Sequence, residues 1–503
     1  MPWLAHYNKR FMSLSAPSLA SSESIARYEP VIGLEVHVQL ATATKIFCGC
    51  PTSFGAPPNA NVCPVCLGLP GALPVLSRQA VDLAVKAALA LNCAIRPQSR
   101  FARKNYFYPD LPKGYQISMY DEPLAEHGYV DIVVEGVPKR IGVTRVHMED
   151  DAGKSIHEGF RDSSRYSYVD LNRSGTPLIE IVSEPDMRSS AEAYAYLTEV
   201  KQTLQFIEVS TCDMEKGHLR CDANVSVRLK GAEQFGTRAE VKNLNSFRFL
   251  KLALEYEIAR QVALVESGGR VEQETRLYNP DTGETAGMRS KEHAHDYRYF
   301  PEPDLLPLRL GKEWLAGIQA SMPELPARKR ERFTAEYGLR EYDVEVLTAN
   351  RAIAEYFETA ATVSGDPKTA ANWVMGDLMG LLKAEGKEIS ESPVSARQLG
   401  ELVGLVAKGE VSGKLAKEIF GKMFSSGESA GAIVERDGLK QISDAGALEK
   451  TIADVIANNP KQVEQYRGGK ATVLNFLVGQ AMRATRGQAN VAVVTELFKQ
   501  KLG

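Results

Sequence analysis

The chain has 503 residues, 44% hydrophobic and 24% charged, with a net charge of −3. This is ordinary globular composition, enough for two to four domains at about 150 residues each, and it excludes a whole-molecule attraction to nucleic acid or membrane. The longest apolar run, AVDLAVKAALALNCAI, is broken by Asp82 and Lys86, short of the ~20 clean residues a membrane span needs.

Residues 1–28 carry six serines, three basic residues and one acid, Glu23. A transit peptide is Ser-rich and acid-poor, but the basic content here is low. The stretch therefore reads as a disordered extension or an early start codon, outside the fold. The segment IGLEVHVQL follows, Ile32 to Leu40. Its strict alternation predicts a strand with Leu34, Val36, Val38 and Leu40 on one face and Glu35, His37 and Gln39 on the other. Cys48-x-Cys50, twelve residues, then Cys63-x-x-Cys66 comes next. Close pairs across a short loop are the spacing of a structural four-thiolate zinc site. Two disulfides are the other reading, but a C-x-C pair is strained as an internal bridge. Cys93, Cys212 and Cys221 read as buried free thiols.

From residue 29 to 300 the text reads as strands with scattered helices. The alternation in PKRIGVTRVHMED and ANVSVRL, with Gly- and Pro-rich turns between, favours antiparallel sheet. A helix is predicted after the Ser77 cap signal. A second, over 245–269, puts Phe247, Leu250, Leu254, Ile258, Val262 and Val265 on one face and stops at Gly268 and Gly269. Pro301, Pro303 and Pro307 mark a boundary near residue 300. Helical patterns follow, with a second break near Glu391–Ser395. The last ~100 residues are on the scale of one small helical domain. Between 461 and 503, Lys461, Arg467, Lys470, Arg483, Arg486, Lys499 and Lys501 face only Glu464 and Glu496. This is either a solvated helix face or a phosphate-binding surface.

The polar faces of the strands repeat a theme. TRVHMEDD would place Arg145, His147, Glu149 and Asp151 together, and PLIEIVSEPD sets Glu180 between Leu178 and Val182. LRCDANVSVRL faces Asp222, Asn224, Ser226 and Arg228 outward, and RAEVKNLN pairs Glu240 with Lys242. Each stretch alone is a wetted strand. Side by side, the strands would bring Glu35, His37, Glu149, Asp150 and Glu240 together. Clustered carboxylates repel unless a cation sits between them, and oxygen ligands with one imidazole suit Mg²⁺ or Mn²⁺. Gly153-Lys154-Ser155 looks like the tail of a P-loop, but Met148 stands where that motif needs a glycine.

The segments VIGLEVHVQL, ARKNYFYPDLPKGYQIS, RVHMEDDAGKS, VDLNRSGTPLIEIVSEPD, LRCDANVSVR, EVKNLNSFR, DYRYFPEPDL and FLVGQAMRATRGQAN resemble the B subunits of bacterial and organellar aspartyl/glutamyl-tRNA amidotransferases. The resemblance runs from about residue 29 to 503. It implies an α+β chain: an antiparallel-sheet cradle catalytic domain over 29–300, a helical domain over 301–405, and a YqeY-like tRNA-binding tail over 406–503. It further implies a heterotrimer completed by an amidase subunit and a small clamp-like subunit. In that family ATP and Mg²⁺ serve to phosphorylate the side-chain carboxylate of Glu-tRNA(Gln) or Asp-tRNA(Asn), and ammonia from the amidase displaces the phosphate. A non-catalytic tRNA-binding scaffold is the competing expectation. The expected location is the bacterial cytoplasm, an organelle being the other option.

By this resemblance Glu35, His37, Glu149, Asp150 and Glu240 are the metal and catalytic candidates, with Lys154 and Lys242 as phosphate contacts. Cys48, Cys50, Cys63 and Cys66 would hold a supporting zinc. The family commonly has two glutamates after His-Met; here the second is Asp150. Strict alternation puts Glu149 and Asp150 on opposite faces, so joint ligation would need a bulge or a strand end.

Overall fold

The computed structural model describes residues 19–159, 161–288, 297–439, 445–485 and 488–503. The chain forms two compact units that meet in sequence at Leu325 and Pro326. The first unit opens with helix α1 (Ser22–Ala26) and strand β1 (Tyr28–Gln39), then helix α2 (Arg78–Ala90). Strands β2 (Ala94–Ile95), β3 (Gln98–Asn105), β4 (Tyr115–Glu122), β5 (Ala125–Val134) and β6 (Val137–Asp150) follow. A small ribbon, β7 (Lys154–Ile156) and β8 (Tyr168–Asp170), precedes β9 (Pro177–Ser183) and helix α3 (Ser190–Phe206). Then come β10 (Leu219–Leu229), β11 (Ala239–Lys242), helix α4 (Phe247–Glu266), β12 (Thr275–Asn279) and β13 (Glu284–Gly287). The unit closes with β14 (Phe300–Pro301), β15 (Leu308–Arg309) and helix α5 (Lys312–Ala320).

The main path of the large sheet runs β13-β12-β11-β10-β1-β9-β6-β4-β3-β14. Its pairings are antiparallel except β11 with β12, so the sheet is mixed. The alternation of β1 holds: Leu34, Val36, Val38 and Leu40 are buried, while Glu35, His37 and Gln39 face the other way, half-buried. Ile179 and Ile181 of β9, Val146 and Met148 of β6, and Ala223 and Val225 of β10 continue the apolar face. Helices α2, α3 and α4 pack on it through Val81, Val85, Tyr196, Leu197, Leu250 and Leu254. Each valine and leucine among them contributes roughly 1.5–3 kcal/mol by leaving water. With the helices all on one side, the polar face of the central strands stays open.

Both predicted helices form where their caps lie. The Ser77 hydroxyl accepts from the Ala80 amide, and Ser246 accepts from Phe249. One face residue of α4 departs from expectation: Val265, in its last turn, is exposed, because the apolar sheet ends before it. The 1–28 stretch also differs. Residues 1–18 lie outside the described residues, but Ser22–Ala26 is helical, capped by Ser21, and Arg27 and Tyr28 both reach Glu266, at 2.5 and 2.7 Å. The expected break at 300 is likewise overrun. β14 and β15 pair with β3, and the Trp314 indole donates to Asp82 at 2.5 Å, which ties residues 300–325 to the first unit.

The second unit is helical. Phe333, Phe357, Val374, Leu399 and Ile419 are buried there. Ala396–Ala407 packs on Arg351–Ser364, so the break expected at 405 falls inside a helix. A separate cluster of Leu448, Ile452, Leu477 and Phe498 holds the last helices together. Among the described residues no helix is long and apolar enough to cross a membrane.

Candidate active site

Register across the sheet decides which polar residues meet. His37 of β1 pairs with Glu180 of β9, and Glu180 pairs on its other side with His147 of β6. One carboxylate thus lies between two imidazoles: Glu180 Oε2 is 3.4 Å from His37 Nε2 and 3.4 Å from His147 Nε2. Glu149, two residues after His147 and so on the same face, closes the group, with its Oε1 3.6 Å from His37 Nε2. Donor atoms of His37, Glu149 and Glu180 all lie within 4.8 Å of one another. His147 is 1% exposed, and its Nδ1 has no hydrogen-bond partner among the described residues.

The acids extend across two more strands. Glu35 faces Asp222 of β10, and the Asn224 amide donates to Glu35 at 2.9 Å. Asn224 in turn pairs with Glu240 of β11. The Lys242 ammonium bridges Asp222 at 2.8 Å and Glu240 at 3.0 Å, and Thr275 donates to Glu240 at 2.7 Å. Asp151, just past β6, pairs with Arg220 of β10 at 3.0 Å and with Arg173 at 3.4 Å. On the far side stand aromatic rings. Tyr120 stacks on Tyr299 with centroids 4.8 Å apart, and the Lys104 ammonium lies 4.9 Å from the Tyr297 ring centroid.

Packing this many acids together moves their proton affinities apart. Burial, then the charges of Glu180 and Glu240, push the Glu35 carboxyl up. Burial also raises Glu149. Burial works against the imidazolium of His37, yet the Glu180 hydrogen bond and the Glu180 and Glu149 charges carry it up to about 9. Burial likewise opposes charge on Glu180, but the two histidines hold its carboxyl well below the usual range. The protein alone neutralises this group with a proton on imidazole. A divalent cation would do the same with more charge, and two carboxylates plus an imidazole are a donor set that fits Mg²⁺ or Mn²⁺.

The expected candidates therefore divide. Glu35, His37, Glu149, Glu240 and Lys242 share the polar face. Asp150 does not: β6 runs regularly through it, with no bulge there, so its side chain passes to the reverse side. There it forms an ion pair with Lys113 and accepts the Ile117 amide at 2.7 Å, while Gln116 holds its backbone carbonyl at 2.8 Å. Lys154 is exposed on the β7–β8 ribbon, across from Asp170, rather than on a strand of the large sheet, and Gly153-Lys154-Ser155 enters a strand rather than a phosphate loop. Glu180 and His147 stand outside the expected ligand set. The periodicity that marks Glu149 marks His147 too. Glu180 is the polar residue within Leu178-Ile179-Glu180-Ile181-Val182, a costly place for a charge without a partner.

The four loop cysteines also meet. One sulfur from each of Cys48, Cys50, Cys63 and Cys66 lies within 4.8 Å of the others, and all four are free thiols, as are the buried Cys93, Cys212 and Cys221. The two-disulfide reading falls away, and a four-thiolate set fits zinc. The centre lies behind the active face, on the Asp150 side. Gly175 (φ +81°) packs against it, since a Cβ added there would lie 3.3 Å from Cys66 Cβ, and its amide donates to the Asp151 carbonyl at 2.8 Å.

Comparison with known proteins adds the family. Residues 30–316 match the GatB/GatE catalytic domain, and residues 355–502 match the GatB domain model named for YqeY. The B subunit of the aspartyl/glutamyl-tRNA(Asn/Gln) amidotransferase of Carboxydothermus hydrogenoformans is 56% identical over 475 residues, covering 94% of this chain and 99% of its own. The protein of the same name from Geobacter sulfurreducens gives the same figures, and that of Persephonella marina is 55% identical over 476 residues, at 94% and 99% coverage. With catalytic and tail domains both matched and identity above half along nearly the full length, the chain belongs to the family of aspartyl/glutamyl-tRNA amidotransferase B subunits.

Proposed function

We propose that the polar face is a carboxylate-phosphorylating and amidating site acting on the amino acid of Glu-tRNA(Gln) or Asp-tRNA(Asn), with ATP as phosphoryl donor. The observation that carries this reading is the meeting of His37, Glu149 and Glu180 within 4.8 Å beside Glu35. A carboxylate is a poor electrophile. An oxygen of the substrate carboxylate attacks the γ-phosphorus, the bond from that phosphorus to ADP breaks, and an acyl phosphate forms. Ammonia nitrogen then attacks the acyl carbon, phosphate leaves, and the nitrogen sheds a proton.

His37, Glu149 and Glu180 would hold Mg²⁺, whose part when bound is to neutralise and orient phosphate oxygens. Glu35 is the residue placed to take the proton from the attacking nitrogen, since a raised carboxyl is a better base than an ordinary one. Lys242, fixed between Asp222 and Glu240, supplies positive charge on the same face. Tyr120 and Tyr299, stacked at the side of this face, would shield an acyl phosphate from water once substrate covers them. Ammonia comes from a partner amidase, with a small third protein completing the assembly. The tail contributes tRNA contacts, and zinc on Cys48, Cys50, Cys63 and Cys66 braces the loop behind the sheet.

The test uses the assembled complex with Glu-tRNA(Gln). H37A, E149A and E180A are expected to lose ATP turnover and amidation on the order of 100-fold or more while tRNA affinity stays. Full amidation by these variants would favour a tRNA-binding scaffold instead.

A further inference from the structure

Most cations around the acids have their donors engaged. Lys242 spans Asp222 and Glu240. Arg173 donates to the carbonyls of Ala152 at 3.0 Å and Gly153 at 2.6 Å. Lys113 is bound to Asp150 on the reverse side. Arg220 differs. It sits directly across from His37 in the β1–β10 register. Alternation along β10 puts it on the face of Asp222 and Asn224, because Leu219, Cys221 and Ala223 are buried behind. Its Nη2 donates to Asp151 at 3.0 Å, its Nε is buried without a hydrogen-bond partner among the described residues, and 37% of its side chain is exposed.

Asp151 is itself immobilised. Its amide donates to the Thr176 carbonyl at 2.9 Å, its carbonyl accepts from Gly175 at 2.8 Å, and its second carboxylate oxygen faces Arg173 at 3.4 Å. A rigid carboxylate thus grips one corner of a guanidinium and leaves donors of that fork beside the His37–Glu149 group. The planar fork of arginine matches two oxygens of one phosphate, which a lysine ammonium cannot do.

We propose that Arg220 contacts the transferring phosphoryl group in this basin, and that Asp151 is the positioning residue that aims it. The inference rests on the phosphorylation reading given above. As the bond from the γ-phosphorus to ADP breaks and the bond to the substrate carboxylate oxygen forms, the guanidinium stays protonated and balances charge on the equatorial phosphoryl oxygens. No proton or electron passes through it.

The experiment compares R220Q, R220K, D151N and H37A in the assembled complex. Three quantities are read: ATP turnover with Glu-tRNA(Gln), Mn²⁺ binding by electron paramagnetic resonance, and thermal unfolding. R220Q is expected to lose turnover on the order of 100-fold, mainly in kcat, and R220K about 10-fold or more, since it keeps the charge but not the fork. D151N is expected to lose about 10-fold. Mn²⁺ binding should stay equal or tighten in R220Q, because a cation next to the acids has been removed; a merely structural arginine would loosen it. Weaker Mn²⁺ binding in both R220Q and R220K, or R220Q turnover within about two-fold of the parent while H37A is inactive, overturns the assignment to Arg220 and leaves the basin reading standing. An H37A complex that turns over normally sinks the basin reading itself.

Discussion

Glu257, on α4 behind the sheet, is fully buried and still charged. Arg260 binds it at 2.6 Å and Arg276 at 3.1 Å, with Thr285 and Gln261 donating at 2.7 and 2.9 Å. Burial works against its charge, but Arg260 and the other donors hold the carboxyl below the ordinary range. A depressed folded-state value stabilises the fold above the unfolded value and stops doing so as pH falls through the folded one. E257Q would remove the carboxylate partner of the largely covered Arg260 and leave Arg276 with Glu274 alone, at a cost of about 3 kcal/mol near neutral pH. Denaturant midpoints should show that gap narrowing as pH drops below about 4.3; a gap independent of pH would mean the carboxylate charge is not what matters. Glu180 is the contrasting case: its partners are the buried His147 and the partly exposed His37, imidazoles rather than fixed guanidinium charges, so a cation could take their place.

At the scale of the element, strand β6 divides two tasks between neighbours. Glu149 points into the basin, and Asp150 points back toward Lys113, which places the β6 end against the β4 segment through Ile117 and Gln116. Burial raises the Asp150 carboxyl, and Lys113 pulls it back down. Asp150 is 1% exposed and the Lys113 side chain 7%, so breaking the pair leaves a buried charge. D150N and K113M should each destabilise by about 3–5 kcal/mol, and the double variant D150N/K113M by less than either, since no lone charge remains. Additive losses in urea titrations would show that the two side chains act separately. Two adjacent acids in HMED look like one ligand pair in the sequence; the pleat separates them.

At the scale of the whole molecule, every basin residue lies in the first unit, and the basic positions of the tail lie in the second. Lys461, Arg467, Lys470, Arg483, Lys499 and Lys501 are exposed, whereas Arg486 lies outside the described residues. Among the described residues Lys499 and Lys501 have only distant acid partners, Glu496 at 3.8 Å and Glu449 at 3.9 Å. Residues 448–502 have their own buried cluster, so removing the chain from 445 onward leaves the preceding helices their core. That truncation is expected to raise KM for tRNA and flatten the dependence of tRNA affinity on salt, by about one unit of log–log slope per lost phosphate contact. Turnover at saturating tRNA should remain within a few-fold. Unchanged affinity would assign these lysines and arginines to ordinary surface.

Some of this was legible along the chain because it depends only on near neighbours. Alternation assigned the two faces of β1, the Ser77 cap located α2, apolar spacing with a glycine stop located α4, and cysteine spacing announced a four-sulfur cluster. Period-two patterning even separates Glu149 from Asp150. What it does not carry is which strands lie side by side. Glu180 meets His37 and His147 because β9 inserts between β1 and β6, an order set by long-range pairing and helix packing on the far face. The same cause brings Arg220 opposite His37. It also carries the first unit past the prolines to Leu325, since the short strands β14 and β15 are recognisable only by their partner β3. Local sequence determined what each strand offers to its two faces; the tertiary structure decided who meets whom, because contact across a sheet depends on register between segments far apart in the chain.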